Sequence, residues 1–143
     1  MFNKIAIAYD ESPSAEHALA KAIALAAALG SSLRIITIVE PLPAYVNIAL
    51  ALDGNLPQQL LNERRQRLAQ THKLALIHAA DAGVDAEAVL VDGREVEGIL
   101  AEIAAYGADL LVIGLSQHHG FGEMSSTAHR ISLQAPCPVL GVH

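Results

Sequence analysis

An α/β fold built on a parallel sheet with helices on both faces is what this sequence predicts, on three observations. Short apolar runs alternate along the chain with longer segments that keep a helical period. The composition is 52% hydrophobic and dominated by Ala, Leu, Ile and Val, with two Phe, three Tyr and no Trp, which suits buried parallel strands under alanine-rich helices. The fourth apolar run stops at a glycine loop that leads into a helix start, a junction typical of such folds. The length, 143 residues, predicts one domain over residues 1–143, large enough for a proper core.

Ile5-Ala6-Ile7-Ala8-Tyr9 reads as the first buried strand, closed by Asp10 and Glu11. Ser12-Pro13 supplies a cap and then proline at the first helical position, where a missing N–H does no harm. From Ala15, apolar residues at 15, 18, 19, 22, 23, 26 and 29 follow the helical period until Gly30 ends it. Leu33 to Val39 is the second strand. Between Glu40 and Pro57, three prolines (Pro41, Pro43, Pro57) bracket the apolar piece Ala44 to Leu52. This segment is expected as a loop or short helix that needs covering. It is either a flap packed on the domain or a partner subunit, or a lid over a ligand site.

Gln58 to Gly83 reads as a long helix with Glu63, Arg64, Arg65 and Arg67 near its start, a solvated face or a phosphate or partner contact. Ala86 to Val91 is the third strand, ended by Asp92-Gly93, and Glu95 to Tyr106 is a helix with Val96, Ile99, Leu100 and Ile103 on one face. Leu110 to Ile113 is the fourth strand. It stops at Gly114, and a loop with Gly120, Gly122, His118 and His119 follows. Ser125-Ser126-Thr127 opens the last helix, Pro136 and Pro138 close it, and Val139 to Val142 is the fifth strand. Alternating strands and helices imply right-handed crossovers, with ligands at the carboxyl ends of the strands. That edge offers Asp10, Val39, Asp92 and Gly114 with its loop.

The composition narrows the function. Net charge is −6 with scattered basic residues, which lacks the footprint of a nucleic-acid or anionic-membrane binder. The apolar run near the N-terminus is too short for a signal peptide, no run reaches a membrane span, and the lone Cys137 leaves no internal disulfide. A cytoplasmic protein is expected. Cys137, between prolines, is expected as a small buried hydrophobe. Adjacent histidines in an extended loop point apart, and no Cys or carboxylate lies at ligand spacing, so no metal site is expected there. A phosphorylatable receiver would need a lysine at the end of the fifth strand, but the lysines are Lys4, Lys21 and Lys73. No Walker motif, nucleophile elbow or Ser-Gly-Gly adenylation loop is present.

Three stretches, IAIAYDESPSAEHAL, VDGREVEGIL and ADLLVIG…STAHRI…APCPVLGV, resemble the universal stress protein family over nearly the whole chain. The resemblance implies a five-stranded parallel sheet in the order 3-2-1-4-5 and a homodimer paired through the last strand, whose apolar edge is otherwise exposed. It implies a stress-response binding or signalling module, not an enzyme, with ATP hydrolysis slow or absent. It also implies an adenine-nucleotide site for ATP, ADP or AMP, with Mg as the only metal and only as the nucleotide's companion. The residues it assigns are Ala8, Tyr9, Asp10, Val39, Gly114, Ser116, Gln117, Ser125, Ser126 and Thr127. In ATP-binding relatives the aspartate matching Asp10 faces adenosine, and neighbouring backbone groups read adenine. Capping of the next helix would also explain Asp10.

ATP-binding members carry G-x2-G-x9-G-[ST] after the fourth strand. Here the first position is Gly114, the second is Gln117, and the closing pair is Ser125-Ser126 in a loop two residues shorter. Gln117 places a side chain where backbone should meet phosphate, and the short loop draws the helix start toward the strand, narrowing room for a triphosphate. The helix N-terminus with its three hydroxyls still suits an anion, so AMP or another small adenosine ligand is expected to fit where ATP does not. A branch resembling the founding stress protein shares the Gln and the Met-Ser-Ser run and is associated with no ATP binding. The alternative expectation is therefore a dimeric interaction protein that binds no nucleotide.

Overall fold

Each apolar run becomes a strand, and each periodic segment a helix. A computed structural model describes residues 1–50, 54–116 and 126–143, with backbone alone at residues 49 and 50. In chain order the elements are β1 (Lys4–Ala8), α1 (Pro13–Leu29), β2 (Ser32–Val39), α2 (Ala44–Leu50), α3 (Leu56–Asp81), β3 (Ala86–Asp92), α4 (Glu95–Tyr106), β4 (Leu110–Gly114), α5 (Ser126–Gln134) and β5 (Val139–Val142). All strand pairs are parallel, in the order β3-β2-β1-β4-β5. The chain first winds outward from β1 through β2 to β3, then returns to the other side of β1 with β4. The order therefore reverses between β1 and β4.

The period of two along the strands divides the core into two layers. Ile5, Ile7, Leu33, Ile35, Leu110 and Val112 face α1 and α3, meeting Ala18, Ala22, Ala75 and Ala79. Ala6, Ile36, Leu111 and Ile113 face the opposite way and meet Val96, Ile99 and Ile103 of α4 and Ala128 and Ile131 of α5. Alanines on α1 let that helix lie close to the sheet, and the bulk comes from the β-branched strand residues.

The helix boundaries follow local chemistry. Ser12 caps α1, its Oγ accepting the Ala15 N–H at 3.1 Å, with Pro13 next. Ser12→Ala is expected to cost about 1 kcal/mol, seen as a lowered urea midpoint at unchanged slope; no change would mean that neighbouring Ser14 replaces the cap. Gly30 and Gly107 end α1 and α4 in the left-handed conformation. Several boundaries differ from expectation by one or two residues. Tyr9 lies just past β1, and α3 begins two residues before Gln58 because Pro57 sits in its first turn.

The segment 40–57 contains a short helix, α2, whose Tyr45 and Ile48 are about three-quarters exposed, at 74% and 76%. Arg65 is ion-paired with Asp92, Arg67 lies 3.5 Å from Glu11, and Arg64 donates to the Glu40 carbonyl at 3.5 Å. The basic start of α3 is thus tied to the carboxyl edge of the sheet and is not a purely solvated face. Cys137 is half-buried, and burial pushes its thiol pKa up. No helix among the described residues is long and apolar enough to cross a membrane.

Candidate functional site

At the carboxyl edge, where the strand order reverses, a cavity of about 390 Å³ opens between the sheet and the helices α4 and α5. This is where an open parallel sheet leaves a crevice, because the connections from β1 and β4 leave in opposite directions. Its volume is at the small end of the range for small-molecule sites, roughly 300–1,000 Å³. The floor is apolar, from Ala8, Ile36, Ile38, Ile99, Ile113 and Ile131. The rim is polar, from Asp10, Ser12, Ser14, Glu95, Ser116 and Thr127.

Six of the ten expected residues line this cavity: Ala8, Tyr9, Asp10, Gly114, Ser116 and Thr127. Residues 5–8 and 110–113 are bonded in register across β1 and β4, which brings Ala8 beside Ile113 although the two are far apart in sequence. Gly114 is where β4 passes the first turn of α1. A Cβ there would lie 2.6 Å from the Ser14 carbonyl carbon and oxygen, so only glycine permits this approach. Ser126 begins α5, exposed beside Thr127. Gln117 and Ser125, with His118, His119, Gly120 and Gly122, lie outside the described residues.

Val39 is placed differently. It is 2% exposed and is not among the residues lining the cavity, which come from Ile36 and Ile38 of the same strand. The pleat explains this: Thr37 bonds α3, and Val39, two residues on, shares its face, away from α4 and α5. The Val39 carbonyl accepts from the Gly93 N–H at 3.2 Å.

Tyr9 is held from three sides. Its N–H donates to the Ile36 carbonyl at 2.8 Å, its carbonyl accepts from Thr37 Oγ1 at 2.6 Å, and its hydroxyl donates to Glu16. Burial and then the Glu16 carboxylate raise the Tyr9 pKa, so the phenol stays protonated. With its amide engaged inside the fold, Tyr9 offers the cavity contact surface. Behind it Thr37 Oγ1 lies 2.7 Å from His72 Nε2, in a buried polar layer between β2 and α3. Asp10 is exposed, and its Oδ1 accepts the Ser12 N–H at 3.0 Å. It therefore shapes the turn into α1 while also lining the cavity. Glu11, next to it, has φ +67, a left-handed conformation costly for a side chain with a Cβ. The Thr71 hydroxyl and Arg67 hold its carboxylate there.

Sequence reasoning did not assign Glu95, which opens α4. Burial raises its pKa, and the charges of Asp10 and Glu40 add to that. Its own N–H donates to Glu40 Oε1 at 3.1 Å, so a carboxylate from the end of β2 caps α4. The available signal was its place two residues after the third strand's Asp92-Gly93 turn, at the same edge as Asp10. Among the described residues no group of His, Cys, Asp and Glu is arranged to hold a metal ion.

Fold and cavity together define a doubly wound α/β protein with a crevice at its topological switch point. The universal stress protein family model matches residues 1–143. A universal stress protein from Thermus aquaticus, named for its place in the QAH/OAS sulfhydrylase 3′ region, is 34% identical over 144 residues, covering 98% of each chain. Among solved structures, the universal stress protein UspA from Lactobacillus plantarum has a TM-score of 0.85 at 18% identity, covering 99% of this chain and 98% of that one. A universal stress protein in complex with cAMP has a TM-score of 0.68 at 23% identity (99% and 97% covered), and one from Archaeoglobus fulgidus in complex with dAMP has 0.69 at 21% (99% and 98%). The chain belongs to the universal stress protein family.

Proposed function

We propose that this protein is a cytoplasmic stress-response module that binds an adenine nucleotide in the cavity at the carboxyl edge. The observation that carries the reading is the convergence of β1, β4, α4 and α5 on one small crevice with an apolar floor and a polar rim. The two relatives described with cAMP and dAMP support it. The apolar floor would receive the base and Asp10 the ribose hydroxyls. The start of α5, with Ser126 and Thr127, would receive phosphate. Gly114 fits a nucleotide as well as the fold, because no side chain rises from that position into the crevice.

Among the described residues no nucleophile–base pair lines the cavity, and the proposed role is binding without turnover. When Mg is bound it would arrive with the nucleotide. The homodimer belongs to the same proposal: β5 ends the sheet, and its Leu140 is 40% exposed on that edge.

Protein purified under native conditions and then denatured is expected to release AMP, ADP or ATP. Asp10→Asn, which keeps the turn-forming oxygen, is expected to weaken AMP binding about tenfold by calorimetry, the cost of one hydrogen bond to a charged group. Empty protein with no thermal shift on added adenosine nucleotides would favour the second reading, an interaction protein that uses the exposed Tyr45 and Ile48 of α2.

A further inference from the structure

We propose that Glu95 sets the ligand class of this cavity, excluding polyphosphates and admitting adenosine-type ligands with no more than one phosphate. The inference rests on the adenine-nucleotide reading and deepens it.

The argument begins with charge. Among the described residues lining the cavity two are acidic, Asp10 and Glu95, and none is Lys or Arg. Glu95 is held in place, since its amide is bonded to Glu40 at 3.1 Å and it begins a helix whose Val96 and Ile99 are buried. No hydrogen bond or ion pair to its carboxylate occurs among the described residues, whereas Glu11, Glu87, Glu97 and Glu102 all meet an arginine. A carboxylate without a counter-charge can do two things to a ligand. It accepts hydrogen bonds from hydroxyl or amino groups, which a nucleoside carries. It also repels each phosphate charge: a like charge about 10 Å away lowers affinity roughly tenfold at the effective dielectric of a protein surface.

The rim at the start of α5 has a different character. Thr127, in the first turn of α5, lies where the helix dipole favours an anion. One phosphate can occupy that end. A triphosphate must instead extend its further charges within a small cavity that has a bare carboxylate on its wall. The elevated pKa of Glu95 agrees: Asp10 and Glu40 already oppose its ionisation, and further anions would oppose it more.

The test compares adenosine, AMP and magnesium-free ATP binding to the full-length wild-type protein and to Glu95→Gln by calorimetry. Wild type is expected to bind AMP at least about tenfold tighter than ATP. Glu95→Gln is expected to tighten ATP relative to AMP about tenfold, read as the ratio of the two affinities, with adenosine reporting any loss of the hydrogen bond that Glu95 accepts. Salt gives a second arm that needs no variant: raising it from about 0.05 to 0.5 M should narrow the wild-type gap between AMP and ATP, because screening weakens the repulsion. Folding of the variant can be read independently. The Glu95 pKa is raised in the fold, so its stability contribution is lost as pH rises through that value, and Gln should raise the melting temperature at neutral pH. Wild type that binds ATP as tightly as AMP overturns the inference and leaves the nucleotide reading standing, as does a Glu95→Gln protein that binds AMP with ATP unimproved relative to it. Failure of all three ligands to bind either protein overturns both.

Discussion

Gly114→Ala is expected to destabilise the protein by about 3 kcal/mol, the largest single effect foreseen. The new Cβ would lie 2.6 Å from the Ser14 carbonyl carbon and oxygen and 2.9 Å from the Ala15 amide nitrogen. These are backbone atoms at the start of a 17-residue helix, and they cannot rotate aside. Either β4 or α1 must shift, and both carry cavity residues, so ligand binding should fall with stability. Gly98→Ala is the control. Its Cβ would come within 2.7 Å of Ile38 Cδ1, the end of a flexible side chain, and alanine is the better helix former. That change is expected to stay within about 1 kcal/mol of wild type. Urea denaturation of both variants decides the matter. Equal costs would mean that the close approach of β4 to α1 is not what glycine is there for.

Thr37→Val is expected to cost about 2 kcal/mol although the shape is conserved. Thr37 is 3% exposed. Its hydroxyl donates to the Tyr9 carbonyl at 2.6 Å, so its oxygen must accept the proton on His72 Nε2 at 2.7 Å. Valine would leave both partners buried without a substitute. The same pair implies a pH dependence. Burial lowers the His72 pKa below its ordinary value, a shift opposed by the nearby Glu11 carboxylate. Tyr9, Glu11 and Glu16 face this layer from the β1 end and α1, and Arg67 from α3 itself.

Because the folded pKa is the lower one, the unfolded chain takes up the proton first. The contribution of His72 is therefore complete above about pH 6.5 and is lost as pH falls toward the folded value. His72→Gln should flatten that part of the stability–pH curve, measured against wild type between about pH 7.5 and 5. An unchanged slope would show that His72 does not titrate differently in the two states.

Most of the fold was legible because its determinants are local. Pro13 after Ser12 and Gly30 at the end of α1 each act within a few residues, and α1 starts and stops where they stand. The exceptions are instructive. Pro57 brackets the segment expected as a loop or short helix, yet it sits in the first turn of α3, because proline suits the first turn of a helix as well as a turn. The basic residues Arg64, Arg65 and Arg67 gave no sign of their partners, since Glu40, Asp92 and Glu11 approach them only after β2, β3 and α1 have packed.

The candidate site divides in the same way. The residues at strand ends could be nominated from the chain, because a parallel α/β pattern places every strand's carboxyl end on one edge. Which face of that edge holds the crevice could not. Val39 and Ile38 are neighbours of equal apolar character, and only the pleat of β2 beneath α4 sends Ile38 to the cavity. Glu95 looks, in sequence, like an ordinary acidic residue in a first helical turn.

Local periodicity and capping chemistry, acting over a few residues at a time, settled the elements and their parallel arrangement from the sequence alone, and the family came from the resemblance of three stretches to universal stress proteins. The tertiary structure decided the crevice and its surroundings: a carboxylate unpaired among the described residues on its wall, a glycine pressed against the start of α1, and a buried Thr–His pair behind Tyr9 on the other face of the sheet. These depend on distances between segments that are remote in the chain, and such distances exist only once the sheet has closed its register.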